Sequence, residues 1–361
     1  MPQSVGLNSY EGVLNNVRVF VIASNPDPKL GSIGRAECEL INATFHIASR
    51  LAAPVIFLWS TSGARISEGS EVLEEISKIL KRTIDGRDFL MISLVLGATA
   101  GIGAYLTCLS EFSILSEDSQ LFMTGPQLVK ALTGKIESKI EIGGSHVHQK
   151  SGIPTKIVED IVELEKSVST IFNVLFNEKT IEEFSYKDYY ASAIQLRLKR
   201  VGNLLYGETI LRQDLGDPSS LEISKLNSFI KTCGTLHIPL VTFIDTRGMK
   251  PGSIEEKNGA LYLGAELMCL MSTYKSFRLA IITGSSISAI HLALGSLGFS
   301  ADYVILVPDS EISVISGAAR ELFPSINWET VTHKGNYGQI SEVTESHLLE
   351  AKINSILSDF R

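Results

Sequence analysis

Three glycines interrupt one of the most apolar parts of the sequence. Residues 90–109 read LMISLVLGATAGIGAYLTCL, with Gly97, Gly101 and Gly103 among small residues. One apolar run precedes the glycines and another follows, so the pattern predicts a buried strand that turns directly into a helix. Glycine at such a turn has two explanations. It lets a strand and a helix pack closely, or it lets backbone N–H groups point at a negatively charged group, as they do at helix N-termini.

Charged side chains near other glycines are further candidates for chemistry. Arg65 and Glu68, in SGARISEG, either contact a substrate or pair with each other to fix their loop, and we favour pairing. Asp245 ends a predicted strand before a Gly/Pro loop, where a carboxylate commonly caps the following turn. His146 and His148 would share one face of a strand and could ligate a metal, but no third ligand lies near them in the sequence. We therefore expect structural or pocket-lining histidines and no metal site.

One pattern occurs twice in the sequence. RLAAPVIFLWSTSGARISEG in the first half and TLHIPLVTFIDTRGMKPGS in the second both read as a helix end, a proline, an apolar strand and a glycine-containing loop. The segments that follow also correspond: FLMISLVLGATAGIGAYLTCL with FRLAIITGSSISAIHLALGSL, and then FSILSEDSQLFMTGPQLVKAL with ADYVILVPDSEISVISGAAREL. Pro54 precedes Gly97 by 43 residues, and Pro239 precedes Gly284 by 45. Three matches in the same order indicate an internal duplication.

The predicted strands of both copies are continuously apolar, as in Val55–Leu58 and Leu240–Ile244. Continuous rather than alternating apolarity is typical of strands buried on both faces, in a largely parallel sheet covered by helices. The first strand is predicted near Val17–Ala23. The fold class is therefore α/β, with two tandem domains of one design.

The two domains are predicted at residues 1–180 and 181–361. An amphipathic helix over 156–176 and a polar connector over 176–190 lie around this boundary. The C-terminal stretch from residue 327 onward is predicted to be a loop and a covering helix, to which we assign no function.

Composition excludes several classes of protein. Of 361 residues, 44% are hydrophobic and 20% are charged, as in an ordinary folded domain, and the net charge of −8 with no dense Lys/Arg block argues against a nucleic-acid partner. The four cysteines are too widely separated for a zinc ribbon, and the N-terminus has no signal-peptide pattern. No apolar stretch is long enough to span a membrane, and no GxSxG segment supports a serine hydrolase. These features predict a cytoplasmic protein.

The motifs quoted above, taken in their order along the chain, resemble the carboxyltransferase component of biotin-dependent acyl-CoA carboxylases. That component is built from two crotonase-like domains. The resemblance covers most of residues 12–320 and rests on motifs that occur in the family's order. The matching segments are GSIG (31–34), SGARISEG (62–69), GATAGIGAYL (97–106), FMTGPQLVKALTG (122–134), IGGSHVH (142–148), IPLVTFIDTRGMKPGS (238–253) and SVISG (313–317).

The resemblance implies transfer of a carboxyl group between carboxybiotin and the α-carbon of an acyl thioester. Both intermediates, a thioester enolate and the ureido anion of biotin, carry negative charge on oxygen, so fixed N–H dipoles would be the main contribution of the protein. The biotin anion can take the α-proton, and no side-chain base is required.

The resemblance also assigns residues to these roles. The amides of Gly101 and Ile102 would hold the enolate oxygen, and the amides around Ser288, Ala289 and Ile290 would hold the biotin oxygen. The remaining residues that the resemblance places around the substrate are Ser62, Gly63, Ala64, Arg65, Gly97, His148, Gly248 and Gly252.

The second turn departs from the family pattern. GSSISAIHLAL stands where members usually have paired glycines, and a basic residue frequent in some members just before the turn is missing. Side chains on Ser288, Ala289 and Ile290 restrict the backbone angles that glycines would allow. Two alternatives therefore stay open: a biotin-independent decarboxylase of malonyl or methylmalonyl thioesters, and a non-catalytic scaffold subunit.

The expected partners follow from what the sequence lacks. No biotin-attachment motif and no region large enough for an ATP-grasp domain is present, so biotin carboxylase and biotin carrier proteins would be separate. The thioester would be an acyl-CoA or an acyl carrier protein. In the family, the first domain of one subunit faces the second domain of another, which predicts at least a homodimer.

Overall fold

The computed structural model describes residues 6–25, 27, 29–85, 87–149, 151–186, 193–315, 317–325 and 340–359. It divides into two compact units, Met1–Phe172 and Asn173–Arg361. The predicted division at residue 180 stays a prediction. Part of the predicted connector (187–190) and part of the C-terminal stretch (327–339) lie outside the described residues.

The first unit is a seven-stranded sheet in the order β1-β2-β3-β4-β5-β7, with β6 paired to β4. Only the β1–β2 pair is antiparallel, and the other pairs are parallel. The strands are β1 Leu7–Leu14, β2 Val17–Ser24, β3 Val55–Thr61, β4 Met91–Ala100, β5 Phe112–Ser116, β6 Gln120–Phe122 and β7 Lys156–Val158. The helices are α1 Arg35–Leu51, α2 Glu71–Ile84, α3 Ile102–Cys108, α4 Pro126–Thr133, α5 Lys139–Gly143, α6 Ser145–His148 and α7 Ile161–Phe176, the last of which runs into the second unit.

The second unit is an eight-stranded sheet in the order β15-β13-β12-β11-β10-β9-β8, with β14 paired to β12. Strands β8, β9 and β10 pair antiparallel, and the other pairs are parallel. The strands are β8 Ile181–Ser185, β9 Ile194–Val201, β10 Leu204–Leu211, β11 Leu240–Thr246, β12 Arg278–Ile287, β13 Tyr303–Leu306, β14 Glu311–Ser313 and β15 Glu342–Val343. The helices are α8 Ser220–Thr235, α9 Ser253–Lys257, α10 Ala260–Thr273, α11 Ser288–Ile290, α12 Gly317–Arg320 and α13 Leu349–Asp359, and a π-helical turn covers His291–Gly295.

The central strands are buried as their continuous apolarity predicts. In β3, Val55, Phe57 and Trp59 are fully buried, and Phe57 stacks on Trp59 with ring centroids 4.6 Å apart. In β12, Ile281 and Ile282 are fully buried. The predicted α/β class with two mostly parallel, helix-covered sheets is confirmed.

The duplication extends to hydrogen bonds that the sequence pattern alone did not reveal. At the start of α1, the carboxylate of Glu37 accepts from the amides of Gly6 and Gly34, both at 2.8 Å. At the start of α8, Glu222 accepts from the amides of Ala193 and Ser219, at 2.6 and 2.8 Å. In each unit one glutamate thus caps the helix N-terminus and also accepts a hydrogen bond from the amide directly before a strand.

Three local predictions were wrong. Strand β1 precedes the predicted first strand, and the 176–190 connector contains β8, which pairs with β9. Strand β7 takes the first residues of the predicted 156–176 helix, which begins only at Ile161.

Candidate functional site

The three glycines of the first turn have different physical reasons. A Cβ on Gly97 would lie 2.6 Å from the Ser60 hydroxyl, and a Cβ on Gly103 would lie 2.5 Å from the Thr61 methyl, so both positions are glycine because of close packing. Gly101 has φ +57° and ψ −121°, a conformation that only glycine adopts without strain. The chain therefore reverses at Gly101, and α3 begins at the next residue.

The amides of this turn are not equivalent. The Gly101 amide donates to the Phe122 carbonyl at 3.3 Å, next to the last β4–β6 pair, Ala100 with Phe122. Tyr105 donates back to the Gly101 carbonyl at 3.0 Å, which is the first hydrogen bond of α3. The Ile102 amide is the first of the helix, so the helix offers it no acceptor. Of the two predicted donors, Gly101 thus shapes the turn and already has a partner in its own sheet.

The predicted glycine loop 62–65 lies directly beside this turn. Gly63 has φ +89°, and a Cβ there would lie 3.1 Å from the Ala100 carbonyl and 3.6 Å from the Gly101 Cα. Its amide donates to the Thr61 hydroxyl at 3.1 Å, and that hydroxyl donates to the Gly31 carbonyl at 2.6 Å. The structure therefore brings the SGAR and GATAGIG motifs together, with two glycine backbones in contact.

The GSIG motif joins the same cluster. The Ile33 amide donates to the Gly63 carbonyl and the Arg65 amide donates to the Ile33 carbonyl, both at 2.8 Å. Ser62 is exposed and Ala64 is half-buried, so both lie at the open side of the loop. Three motifs that are separate in sequence thus form one backbone assembly.

Arg65 fixes this assembly rather than facing solvent. Its guanidinium, 9% exposed, contacts the fully buried carboxylate of Glu37 at 2.8 Å and the carboxylate of Glu68 at 2.6 Å. It also donates to the Ser32 hydroxyl and carbonyl, at 3.1 and 2.8 Å. Glu68 in turn accepts from the Arg35 amide at 2.6 Å. The pairing of Arg65 with Glu68 agrees with the interpretation that we favoured, and Glu37 is a partner that the sequence did not indicate.

These contacts make stability depend on pH through Glu68. The hydrogen bond from the Arg35 amide, together with the Arg65 guanidinium, holds the pKa of the Glu68 carboxyl below its usual value. A lowered folded-state pKa stabilises the fold above the ordinary glutamate pKa, about 4.3, and that contribution is lost as pH falls further. We expect Glu68→Gln to reduce the loss of unfolding free energy between neutral and acidic pH, as measured by urea titrations. Glu74→Gln, at an exposed position of α2, is the matched control, and an equal effect of both changes would contradict the assignment.

The second unit repeats the turn with a different residue. Strand β12 ends at Ile287, and Ser288, in the position of Gly101, has φ +54°. The adjacent loop also corresponds: Gly248 has φ +122°, and its amide donates to the Thr246 hydroxyl at 3.2 Å, as Gly63 does to Thr61. A serine thus has a positive φ at the position where the first unit has glycine.

The predicted residues after this turn lie in different environments. Ser288 is exposed, Ala289 is half-buried, and Ile290 is 1% exposed and belongs to the core. Among the described residues, no backbone hydrogen bond of the Ser288 amide matches that between Gly101 and Phe122. Gly252 is exposed with φ +129° and precedes α9, so it sits at the end of the loop.

Asp245 supports the second turn from the neighbouring strand. Its carboxylate accepts from the Ser285 amide at 2.9 Å, and a Cβ on Gly284 would lie 2.2 Å from the same oxygen. The carboxylate therefore fixes β12 just before Ser288, rather than capping the turn after Asp245 as predicted.

The histidine pair lies on a helix, not on the predicted strand. His148 in α6 contacts the Leu121 carbonyl through Nε2 and the Ser151 hydroxyl through Nδ1 at 3.1 Å, which is a structural role. His146 is exposed. The described ranges contain no group of three or more His, Cys, Asp or Glu side chains that could hold a metal ion.

Within those ranges, none of the helices is both long and apolar enough to cross a membrane.

Sequence reasoning missed His291 and Ser286 of the second turn. His291 is 6% exposed, Ser286 is fully buried, and the Nδ1 of His291 lies 3.0 Å from the Ser286 hydroxyl. The signal in the sequence is a histidine in an otherwise apolar stretch, IHLALG, where the first copy has alanine.

The chain is similar in sequence to a known protein family and to several characterised relatives. The family model described as "Carboxyl transferase domain" matches residues 2–188 and 218–323. The chain is 22% identical to the biotin-dependent acetyl-/propionyl-coenzyme A carboxylase beta6 subunit of Mycobacterium tuberculosis, over 87% of this chain and 75% of that protein. It is 27% identical to the methylmalonyl-CoA decarboxylase subunit alpha of Propionigenium modestum, over 86% of this chain and 70% of that protein.

A solved structure shares the fold. The transcarboxylase 12S structure, described as a hexamer assembly with methylmalonyl-coenzyme A and methylmalonic acid bound, superimposes with a TM-score of 0.87. It is 21% identical in sequence, and the match covers 98% of this chain and 82% of that one. At this identity the superposition shows that the two chains share a fold.

Proposed function

Because this chain belongs to the carboxyl transferase domain family, we propose that it moves a carboxyl group between carboxybiotin and the α-carbon of an acyl thioester. The motif resemblance read from the sequence is confirmed at the level of the family. The acyl group, the source of the thioester and the mechanism belong to the proposal.

The observation that carries the proposal is the duplicated turn. In each unit a strand of ten residues is followed directly by a residue with φ near +55°. A new helix begins at or directly after that residue, beside a loop glycine of positive φ. Such a turn holds the first helical amides in fixed directions. Two turns match the two anionic oxygens of the reaction, the thioester enolate and the biotin ureido group.

In the first unit the Ile102 amide is the donor best placed for the enolate oxygen. Gly101 sets the direction of the turn, and its own amide donates to the Phe122 carbonyl within the sheet. The loop Ser62–Arg65 would form the adjacent wall of the thioester site, since Gly63 packs directly on Ala100 and Gly101. Gly97 contributes close packing against Ser60. In the second unit, the amides of Ser288 and Ala289 would face the biotin ureido oxygen, with Gly248 and Gly252 in the neighbouring loop.

The partners follow from the same reaction. Carboxybiotin would arrive on a separate carrier protein, charged by a separate biotin carboxylase, and the thioester would be an acyl-CoA or an acyl carrier protein. A second copy of this chain would cover apolar side chains that are exposed at corresponding places in the two units. Tyr105 in α3 is 50% exposed, and Leu292, after α11, is 51% exposed.

A biotin-independent decarboxylase is the second candidate. The side chains of the Ser288 turn favour it, whereas the similarity to a methylmalonyl-CoA decarboxylase subunit supports a decarboxylase but not its independence from biotin. The backbone of the turn favours carboxyl transfer, because Ser288 keeps a positive φ close to that of Gly101 despite the change of residue.

Incubation with malonyl-CoA and methylmalonyl-CoA, with and without free biotin, distinguishes the two candidates. We expect loss of the carboxylate, followed by mass, that depends on biotin, because carboxyl transfer run in reverse needs an acceptor at the second turn. Equal loss of the carboxylate without biotin would support the biotin-independent decarboxylase and contradict the carboxyltransferase. No loss of carboxylate and no binding of either thioester by calorimetry would contradict both.

A further inference from the structure

The left-handed conformation of Ser288 needs a stabilising contact from outside the residue. A non-glycine residue at φ +54° is strained, at a cost of about 1 kcal/mol or more. Asparagine and aspartate offset this cost with a hydrogen bond of their own side chain. Among the described residues, the Ser288 hydroxyl makes no hydrogen bond, and the residue is exposed. The conformation must therefore be imposed by the segments on either side.

One side-chain pair spans this turn. Ser286 lies two residues before Ser288, His291 lies three residues after it, and their side chains meet at 3.0 Å between Oγ and Nδ1. Both side chains are buried, so the contact is shielded from competing water. It fixes the distance between the last strand residues and the first helical turn, and so restricts the backbone of Ser288.

The local backbone is adapted to hold the histidine ring. His291 begins a π-helical turn that ends at Gly295, a widened helix of the kind often found at functional sites. A Cβ on Gly295 would lie 3.1 Å from His291 Nδ1 and 3.5 Å from the Ser286 hydroxyl. Glycine at this position therefore leaves room for the imidazole to reach Ser286.

The first unit supplies an internal comparison. There the turn residue is Gly101, which bears no strain at φ +57°. The residue three positions later is Ala104, whose side chain cannot form a hydrogen bond. The side-chain bridge is thus present where the turn carries serine, and its histidine is replaced by alanine where the turn carries glycine.

We propose that His291 is a positioning residue, whose contact with Ser286 holds Ser288 at its positive φ. The role in catalysis rests on the proposed function, because the held amides are those assigned to the biotin oxygen. The conformational coupling between His291 and Ser288 does not depend on any reaction. The two parts are therefore tested separately.

A double-mutant cycle of His291→Leu and Ser288→Gly tests the coupling by urea unfolding. Breaking the bridge lets the Ser288 turn relax and recover its strain, whereas the Ser288→Gly background has no strain to recover. His291→Leu should therefore raise the unfolding equilibrium constant more in the Ser288→Gly background than in the parent chain. We expect a difference of about tenfold between the two backgrounds, within the range for residues in contact. Ser286→Ala, a smaller change, should show the same pattern, and it serves if His291→Leu fails to fold. Equal losses in both backgrounds would overturn the proposal.

Biotin-dependent decarboxylation tests the catalytic part. His291→Leu should reduce the biotin-dependent rate at least tenfold, and Ser288→Gly should restore most of that loss. His291→Asn, whose amide can occupy the position of Nδ1, should keep most of the rate. If the coupling in stability is found and no variant turns over either thioester, the positioning role stands and the proposed function fails. If His291→Leu and His291→Asn reduce the rate equally in both backgrounds, the bridge does not hold the turn.

Discussion

Replacement of Ile102 by proline is expected to lower kcat for thioester decarboxylation by about 10²–10³-fold, the usual effect of losing one oxyanion donor. Proline deletes the backbone N–H that the proposal assigns to the enolate oxygen. Ile102 is the first residue of α3, a position where proline is well tolerated because that N–H has no acceptor in the helix. Gly101, with φ +57° and ψ −121°, lies in the mirror image of the extended region and accepts a following proline.

Ile102→Ala is the matched control for this experiment. The isoleucine side chain is 4% exposed, so both changes remove similar core packing, and only proline removes the amide. Thermal unfolding of both variants shows whether the losses of stability are comparable. The expected result is a large difference in kcat between proline and alanine, with a small difference in KM, because the donor acts mainly on the transition state. Equal kcat values for the two variants would show that the Ile102 amide takes no part in the reaction.

The fold could be predicted because its core strands are continuously apolar and occur twice. The edge strands could not. Strand β1 buries Leu7 and leaves most of its other residues exposed, so its sequence has neither the continuous nor the alternating apolar pattern. Strand β8 is similar, with Phe184 as its buried residue, and it reads as a polar connector. Both are formed by pairing with a neighbouring strand, which is information that lies elsewhere in the chain.

The candidate site, like the fold, could be predicted from the sequence only in part. Glycine is a direct signal for positive φ, so the sequence marks the first turn at Gly101. Serine carries no such signal, and the GSSISAI segment therefore reads as a turn that has lost its glycines, although the φ of Ser288 is close to that of Gly101. The bridge between Ser286 and His291 depends on a π-helical turn that no spacing rule predicts. A loss of motif glycines is thus weaker evidence for loss of a turn than the sequence comparison suggests.

Removal of the Glu37 charge is expected to produce the largest loss of stability, about 3 kcal/mol for Glu37→Gln. The carboxylate is fully buried, and it neutralises the buried Arg65 guanidinium at 2.8 Å. It also accepts from the amides of Gly6 and Gly34. Glutamine keeps the volume but removes the charge, and it places an N–H group against one of these donors. Arg65 then retains Glu68, which is 33% exposed, as its remaining carboxylate partner in this cluster.

Glu39→Gln on the same helix is the matched control for Glu37→Gln. Glu39 pairs with Arg35 at 3.1 Å on an exposed face, where an ion pair contributes little to stability. Urea unfolding at neutral pH should therefore separate the two changes clearly. Equal effects would show that the buried cluster does not hold the assembly.

The double change Arg65→Met with Glu37→Gln separates the ion pair from the backbone contacts. Removing both charges relieves the penalty of one unpaired buried charge, so the double variant should lose less stability than the sum of the single variants. It should still be less stable than the parent chain, because the amides of Gly6 and Gly34 lose a charged acceptor. A double variant as stable as the parent would mean that the cluster serves only to balance its own charges. The expected residual loss instead assigns to Glu37 the task of tying the N-terminal strand and the start of α1 to the loop that packs on Gly101.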